Sequence, residues 1–240
     1  MSSRRRSVLL VAIAAAGTAA CSSSFGAPDP ASQEGDEILG LWRGTVVAAL
    51  VVGVVVWGLI GWALLRYRRR DDVMPGQRAS NLPIEVIYTA IPVLIVAGLF
   101  FFTLRTQQDV TKLSDSPDVT VEVVGFQWQW QFRYSDDVVV TGDSAGEPPE
   151  LVLPVDRTIR LRLVADDVNH SFWVPRFLSK RDLIPGVRNE IDVNPSTLGT
   201  FVGRCAEFCG LDHWRMHFTV RVVSEADFQR WLRSQGDGGS

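Results

Sequence analysis

Cys205-Ala206-Glu207-Phe208-Cys209-Gly210-Leu211-Asp212-His213-Trp214-Arg215-Met216 gathers two thiols, an imidazole and a thioether into twelve residues. A second imidazole stands upstream, in Asp167-Val168-Asn169-His170-Ser171-Phe172-Trp173-Val174-Pro175. Thiolate and thioether are soft ligands and imidazole is borderline, a set that suits copper better than hard cations. Zinc sites are closed by Cys, His and carboxylate, so a Cys2His2 zinc site would leave Met216 idle. A disulfide between Cys205 and Cys209 would close a short, strained loop and fits an oxidised, metal-free form better than a working state.

The chain around this stretch reads as β-structure. Val119-Thr120-Val121-Glu122-Val123 alternates, and Ile159-Arg160-Leu161-Arg162-Leu163 alternates strictly, with the arginines on the wet face. Met216 to Val223 is another β-rich run, and Pro, Gly and Asp clusters separate these segments. In Gln127-Trp128-Gln129-Trp130-Gln131-Phe132 a period of two puts three aromatics on one face and three glutamines on the other. Many short strands between about Asp109 and Arg233 predict a sandwich or barrel. Ser224 followed by Asp227 resembles a capping box that opens a short helix, with Phe228, Trp231 and Leu232 turned inward. Residues 234–240 form a tail.

Further upstream the composition changes. Residues 45–65 contain no charge and are long enough to cross a bilayer. Arg66, Arg68, Arg69 and Arg70 follow at once, whereas Glu34, Asp36 and Glu37 come before. The positive-inside rule places the loop 66–83 in the cytoplasm, and residues 84–104 cross back. The chain is then a helical hairpin over 45–104 in the cell membrane, with the domain 109–233 on the outer face. Arg4-Arg5-Arg6 and the short apolar run after it have the form of an export signal over residues 1–21. Cys21 stands where a bacterial lipoprotein would be cleaved and lipidated, although Thr18 replaces the usual Leu; ordinary cleavage nearby or an uncleaved tail are the alternatives. Residues 22–44 read as a linker, flexible over the Ser, Pro and Ala of 22–33.

Composition excludes several classes. The chain has 240 residues and a net charge of -3, without basic blocks other than the arginines of the export signal and those at the membrane span, so nucleic acid is not a partner. There is no Cys-x-x-Cys-His, hence no attached c-type haem. All three histidines lie in the β-region, so the spans offer no haem ligand. His217, next to Met216 on a strand, points the opposite way and reads as a non-ligand.

The pattern C-x3-C-x3-H-x2-M, preceded by D-x2-H-S-F-x2-P, resembles the dinuclear copper A domain of cytochrome c oxidase subunit II. The resemblance extends over the two hydrophobic spans, the stretch Gln127 to Tyr134 and Lys180-Arg181-Asp182-Leu183-Ile184-Pro185-Gly186, from about residue 35 to 232. It implies two transmembrane helices followed by a cupredoxin-like Greek-key β-barrel. It also implies two copper ions held by His170, Cys205, Cys209, His213, Met216 and the backbone carbonyl of Glu207. The carboxylate of Glu207 would share a magnesium or manganese ion with subunit I. Trp128 would receive the electron from cytochrome c, and Asp167 would orient His170 or face the partner subunit. Glu85, in an E-x-x-x-T-x-x-P pattern with Thr89 and Pro92, would mark the mouth of a proton pathway or simply favour its helix N-terminus. The implied partners are subunits I and III, cytochrome c and the membrane. The implied activity is electron delivery to haem a for oxygen reduction coupled to proton pumping. Related readings are a copper A subunit of a haem-copper nitric oxide reductase and a membrane-anchored copper carrier. A carrier would want an open, Met- or His-rich site, and only three of each residue exist here.

Overall fold

The computed structural model describes residues 24–69, 72, 74, 76–134, 138–142 and 147–236. Cys21 and the export signal lie outside these residues. The chain divides into two units, one made of a helical pair over 40–108 and one of the segments up to Leu39 and from Asp109 onward.

In the first unit, helix α1 (Gln33–Arg66) and helix α2 (Leu82–Thr111) carry apolar side chains all round, and none of the residues in their most apolar stretches is buried within the chain. A helix that exposes such a surface on every side needs lipid or another protein around it. Pro92 sits inside α2. Both helices run beyond the spans expected at 45–65 and 84–104, α1 mainly through a polar start and α2 mainly through the polar end at residues 105–111. Ser32 Oγ accepts the Gly35 N–H at 3.1 Å, and Glu34 and Asp36 occupy the positive end of the helix dipole.

The expected flexible linker is a correction. Ser24, Ala31 and Ser32 are buried, and the segment is sewn to the β-domain. Ala31 N–H donates to the Arg176 carbonyl at 2.7 Å, Gln33 N–H to the Asn194 carbonyl at 3.0 Å, and Ser196 N–H to the Ala31 carbonyl at 3.0 Å. Composition rich in Ser, Pro and Ala predicts no core, yet backbone bonds to a partner edge, the buried Ala31 and the Glu34 carboxylate bonded to Asn194 hold this stretch.

Among the described residues the second unit contains ten strands: β1 (Val119–Phe126), β2 (Gln129–Tyr134), β3 (Val139–Thr141), β4 (Glu150–Pro154), β5 (Ile159–Ala165), β6 (His170–Val174), β7 (Ser179–Leu183), β8 (Asn189–Val193), β9 (Gly199–Cys205) and β10 (His217–Val223). They form two five-stranded sheets, ordered β3-β2-β1-β5-β8 and β4-β10-β9-β6-β7. β1 runs parallel to β5 and β4 parallel to β10, whereas the remaining pairs are antiparallel. This is the cupredoxin-like architecture, a two-sheet half-barrel.

Alternation explains the core. Ile159, Leu161, Leu163 and Ala165 of β5 point inward with Phe218, Val220 and Val222 of β10. Arg160 and Arg162 face outward, where Asp192 and Glu190 of β8 meet them. Tyr134 closes the end of the core, its hydroxyl donating to the Val152 carbonyl and accepting the Val152 N–H. Helix α3 (Glu225–Gly236) starts at Ser224, which accepts the Asp227 N–H at 3.2 Å, and buries Phe228.

The Arg160–Asp192 pair is shielded, with side chains 13% and 6% exposed, and Asp192 also accepts the Ser114 N–H at 2.6 Å. Asp192→Ala would leave a shielded guanidinium without its carboxylate. We expect a loss of about 3 kcal/mol. Urea unfolding of the full chain followed by near-ultraviolet circular dichroism checks this, and a loss under about 1 kcal/mol would contradict the assigned role.

Candidate metal centre

The centre lies at one end of the β-unit, where two loops and one turn meet. Cys205 ends β9, and Met216 immediately precedes β10. The Cys205 N–H donates to the Met216 carbonyl at 3.1 Å, so the neck of the cysteine loop is a continuation of the β9–β10 ladder. β6 pairs with β9 in the register Phe172 to Cys205, and the Ala206 N–H reaches the Ser171 carbonyl at 3.0 Å. That register brings His170, the first residue of β6, beside the first cysteine.

The ligand atoms converge. Cys205 Sγ and Cys209 Sγ are 3.9 Å apart. His170 Nδ1 lies 3.9 Å from Cys205 Sγ, and His213 Nδ1 lies 3.5 Å from Cys209 Sγ. Met216 Sδ is 3.7 Å from Cys209 Sγ, and the Glu207 carbonyl oxygen is 3.2 Å from Cys205 Sγ. His170, Cys205, Cys209 and Met216 are buried, while the Glu207 side chain is exposed. Two thiols face each other, an imidazole nitrogen stands on each, and a thioether and a carbonyl complete the shell. Among the described residues, His170, Cys205 and Cys209 form the one group of three or more His, Cys or acid side chains close enough to hold an ion.

Hydrogen bonds select the ring nitrogen. Asp167 Oδ1 lies 2.8 Å from His170 Nε2, and a carboxylate only accepts, so Nε2 carries the proton and Nδ1 presents its lone pair to the thiols. Burial pushes the Asp167 carboxyl up, but His170 and the N–H groups of Val168 and Gln127 outweigh it and hold it below the usual carboxylate range. Burial would lower His170, and its contacts with Cys205 and Asp167 raise it overall. Cys205 is also driven up by burial, yet hydrogen bonding to His170 and to the backbone of Glu207 and Ser171 brings it down. Cys209 goes up, through burial and the neighbouring Cys205. The two neighbouring thiols thus shift in opposite directions.

Trp128 is half-buried in the turn between β1 and β2, outside the alternating strand that its sequence pattern suggested; β2 begins one residue later. Its Nε1–H donates to the Cys209 carbonyl at 3.2 Å. Trp130, Phe132 and Tyr134 take the inward face of β2. Gln127, which alternation assigned only to a polar face, donates through Nε2 to the same Cys209 carbonyl at 2.8 Å. Nothing in its spacing marks that contact, because it depends on the turn geometry. Glu85 lies in the first turn of α2, where its carboxylate accepts the Asn81 N–H at 2.7 Å. His217 pairs with Arg204 in the β9–β10 ladder. Around the centre Phe208, Leu211 and Trp214 are 77%, 83% and 72% exposed, an apolar rim on a polar loop.

The family model for the periplasmic domain of cytochrome c oxidase subunit II matches residues 146–223, and that for the transmembrane domain of the same subunit matches residues 20–106. A probable cytochrome c oxidase subunit 2 of Streptomyces coelicolor is 42% identical over 90% of this chain and 80% of its own. The chain belongs to the cytochrome c oxidase subunit II family. A probable subunit 2 of Streptomyces avermitilis agrees equally well, at 42% identity over 90% of this chain and 80% of its own. The crystal structure of the periplasmic domain of subunit II from Bradyrhizobium japonicum covers 53% of this chain and all of that one, with 31% identity and a TM-score of 0.48. As a family member the chain is a membrane protein and a component of an oxidoreductase complex with other oxidase subunits.

Replacing Asp167 by alanine frees the His170 ring and two backbone N–H groups together. Copper affinity is expected to fall about tenfold or more, measured by competition with a chelator. An unchanged affinity would remove Asp167 from the orienting role.

Proposed function

We propose that this chain is the electron-accepting subunit of a cytochrome c oxidase. It takes electrons from cytochrome c at a dinuclear copper A centre and passes them to haem a of subunit I, where oxygen reduction and proton pumping take place. The observation that carries this reading is the pair of facing thiols, each with one imidazole Nδ1 beside it and with a thioether and a carbonyl as weak outer donors.

Bound there, two coppers would supply a one-electron store spread over both metals. The chain's own contribution is a rigid shell. Cys205 and Cys209, as thiolates, would hold the metals together with His170 and His213, and Met216 and the Glu207 carbonyl would serve as weak outer donors. Burial of four of these residues excludes water, so soft ligands meet little competition from hydroxide. Trp128 offers a donor protein a half-buried indole one hydrogen bond from the Cys209 carbonyl. The apolar rim of Phe208, Leu211 and Trp214 fits a protein contact around the centre. The exposed Glu207 carboxylate suits a hard cation completed by oxygen ligands of subunit I. Arginines after residue 65 support an outer-face position for the β-unit, and Cys21 supports a lipid anchor there.

The deciding experiment is electron paramagnetic resonance and metal analysis of the full chain after copper loading. Two coppers with a seven-line hyperfine pattern, from one electron shared between two equivalent nuclei, are expected. One copper with a four-line pattern, or preferential retention of zinc, would overturn the reading.

A further inference from the structure

Gln127 touches both ligand-bearing segments. Its side-chain Nε2–H donates to the Cys209 carbonyl at 2.8 Å, in the cysteine loop. Its backbone N–H donates to Asp167 Oδ2 at 2.7 Å, and the other oxygen of that carboxylate holds His170. Trp128, the next residue, adds a second donor to the same carbonyl, so both lone pairs of that oxygen are engaged. Gly210 completes the arrangement. Its φ of +121° is a conformation that L side chains rarely adopt, and a Cβ there would stand 3.1 Å from Gln127 Nε2 and 3.2 Å from Trp128 Nε1. The cysteine loop thus lies flat on the 127–128 turn at the residue that carries the second thiol. From Ala206 to Asp212 the loop has no regular secondary structure that would set this orientation.

We infer that Gln127 is a positioning residue for Cys209. Its amide fixes the plane of the peptide that follows Cys209, and with it the direction of the thiol attached to the same α-carbon. Its backbone couples that setting to the Asp167–His170 pair across the centre. The consequence for the copper centre rests on the function proposed above, whereas the effect on Cys209 itself does not.

The test compares the full-length protein with Gln127→Leu, which keeps the side-chain size but removes the donor, and with Gln131→Leu. Gln131 lies on the same hairpin, bonded to Thr141 and Arg133, away from the cysteine loop. Alkylation rates of Cys205 and Cys209 are read by mass spectrometry in the metal-free protein. After copper loading, the hyperfine pattern and midpoint potential are recorded. Loss of one hydrogen bond is expected to raise the Cys209 rate about fivefold, with a smaller effect at Cys205 and none in Gln131→Leu. The loaded Gln127→Leu protein should keep the parent's copper content but show altered hyperfine spacing and a shifted potential. A Cys209 rate within twofold of the parent overturns the proposal. So does a parallel rise at both cysteines with a lowered melting temperature, which would mark general loosening. A parent chain that never shows the shared-electron spectrum would refute the proposed function, and the alkylation rates would still decide the role of Gln127.

Discussion

Cys209→Ser is expected to abolish the proposed two-copper centre while leaving the fold in place. Cys209 Sγ is the most connected ligand atom, 3.9 Å from Cys205 Sγ, 3.5 Å from His213 Nδ1 and 3.7 Å from Met216 Sδ. A serine hydroxyl stays protonated at any workable pH, and it is a hard donor where a soft bridging thiolate is needed. With one thiolate left, two metals can no longer share a Cu2S2 core. Copper content should fall from two to one or fewer, and the seven-line spectrum should collapse to four lines. Electron uptake from reduced cytochrome c should drop by several orders of magnitude. The substitution removes no core volume beyond one sulfur, so the melting temperature of the metal-free protein should move little. A variant that still bound two coppers with a shared electron would show that the thiols do not form the bridge.

Trp130→Ala is expected to have the largest effect on stability. The indole is fully buried and packs edge-on against Phe172, Phe218 and His170, with ring centroids 6.3, 5.1 and 6.3 Å away. Its Nε1–H reaches toward the Met216 carbonyl at 3.4 Å. Truncation leaves a cavity that neighbouring rings cannot fill, because Phe218 and Phe172 are themselves stacked and buried. A cost of about 3–5 kcal/mol follows. For a domain of this size that corresponds to a melting point lower by roughly 10–20 °C. His170 and Met216 lose support at the same time, so copper should also dissociate faster. Thermal unfolding of the full chain, with and without copper, checks both effects. A loss below about 1 kcal/mol would show that the core repacks and that Trp130 is not its keystone.

Much of this was legible before any coordinates. Strands were marked by alternation wherever one face meets the core and the other meets water, as in β5 and β10. The helical pair was marked by two long apolar runs, the first uncharged and the second with Glu85 near its start. The flexible reading of 22–33 did not anticipate the bonds that Ala31 and Gln33 make to Arg176, Asn194 and Ser196, which no local composition encodes. Period two put Trp128 on one face with Trp130 and Phe132, but the alternating strand starts at Gln129 and the indole belongs to the turn.

By itself, the amino-acid sequence determined the class of fold, the membrane hairpin and the chemical set of the centre, since ligand softness and hydropathy are properties of residue types. Only the tertiary structure decided which atoms face one another. The register of β6 on β9 brings His170 to Cys205, across 34 intervening residues. The turn at 127–128 brings Gln127 to the carbonyl of Cys209. Such contacts depend on strand register and on the path of a turn, which are settled by the packing of the whole sandwich, so no local pattern announces them.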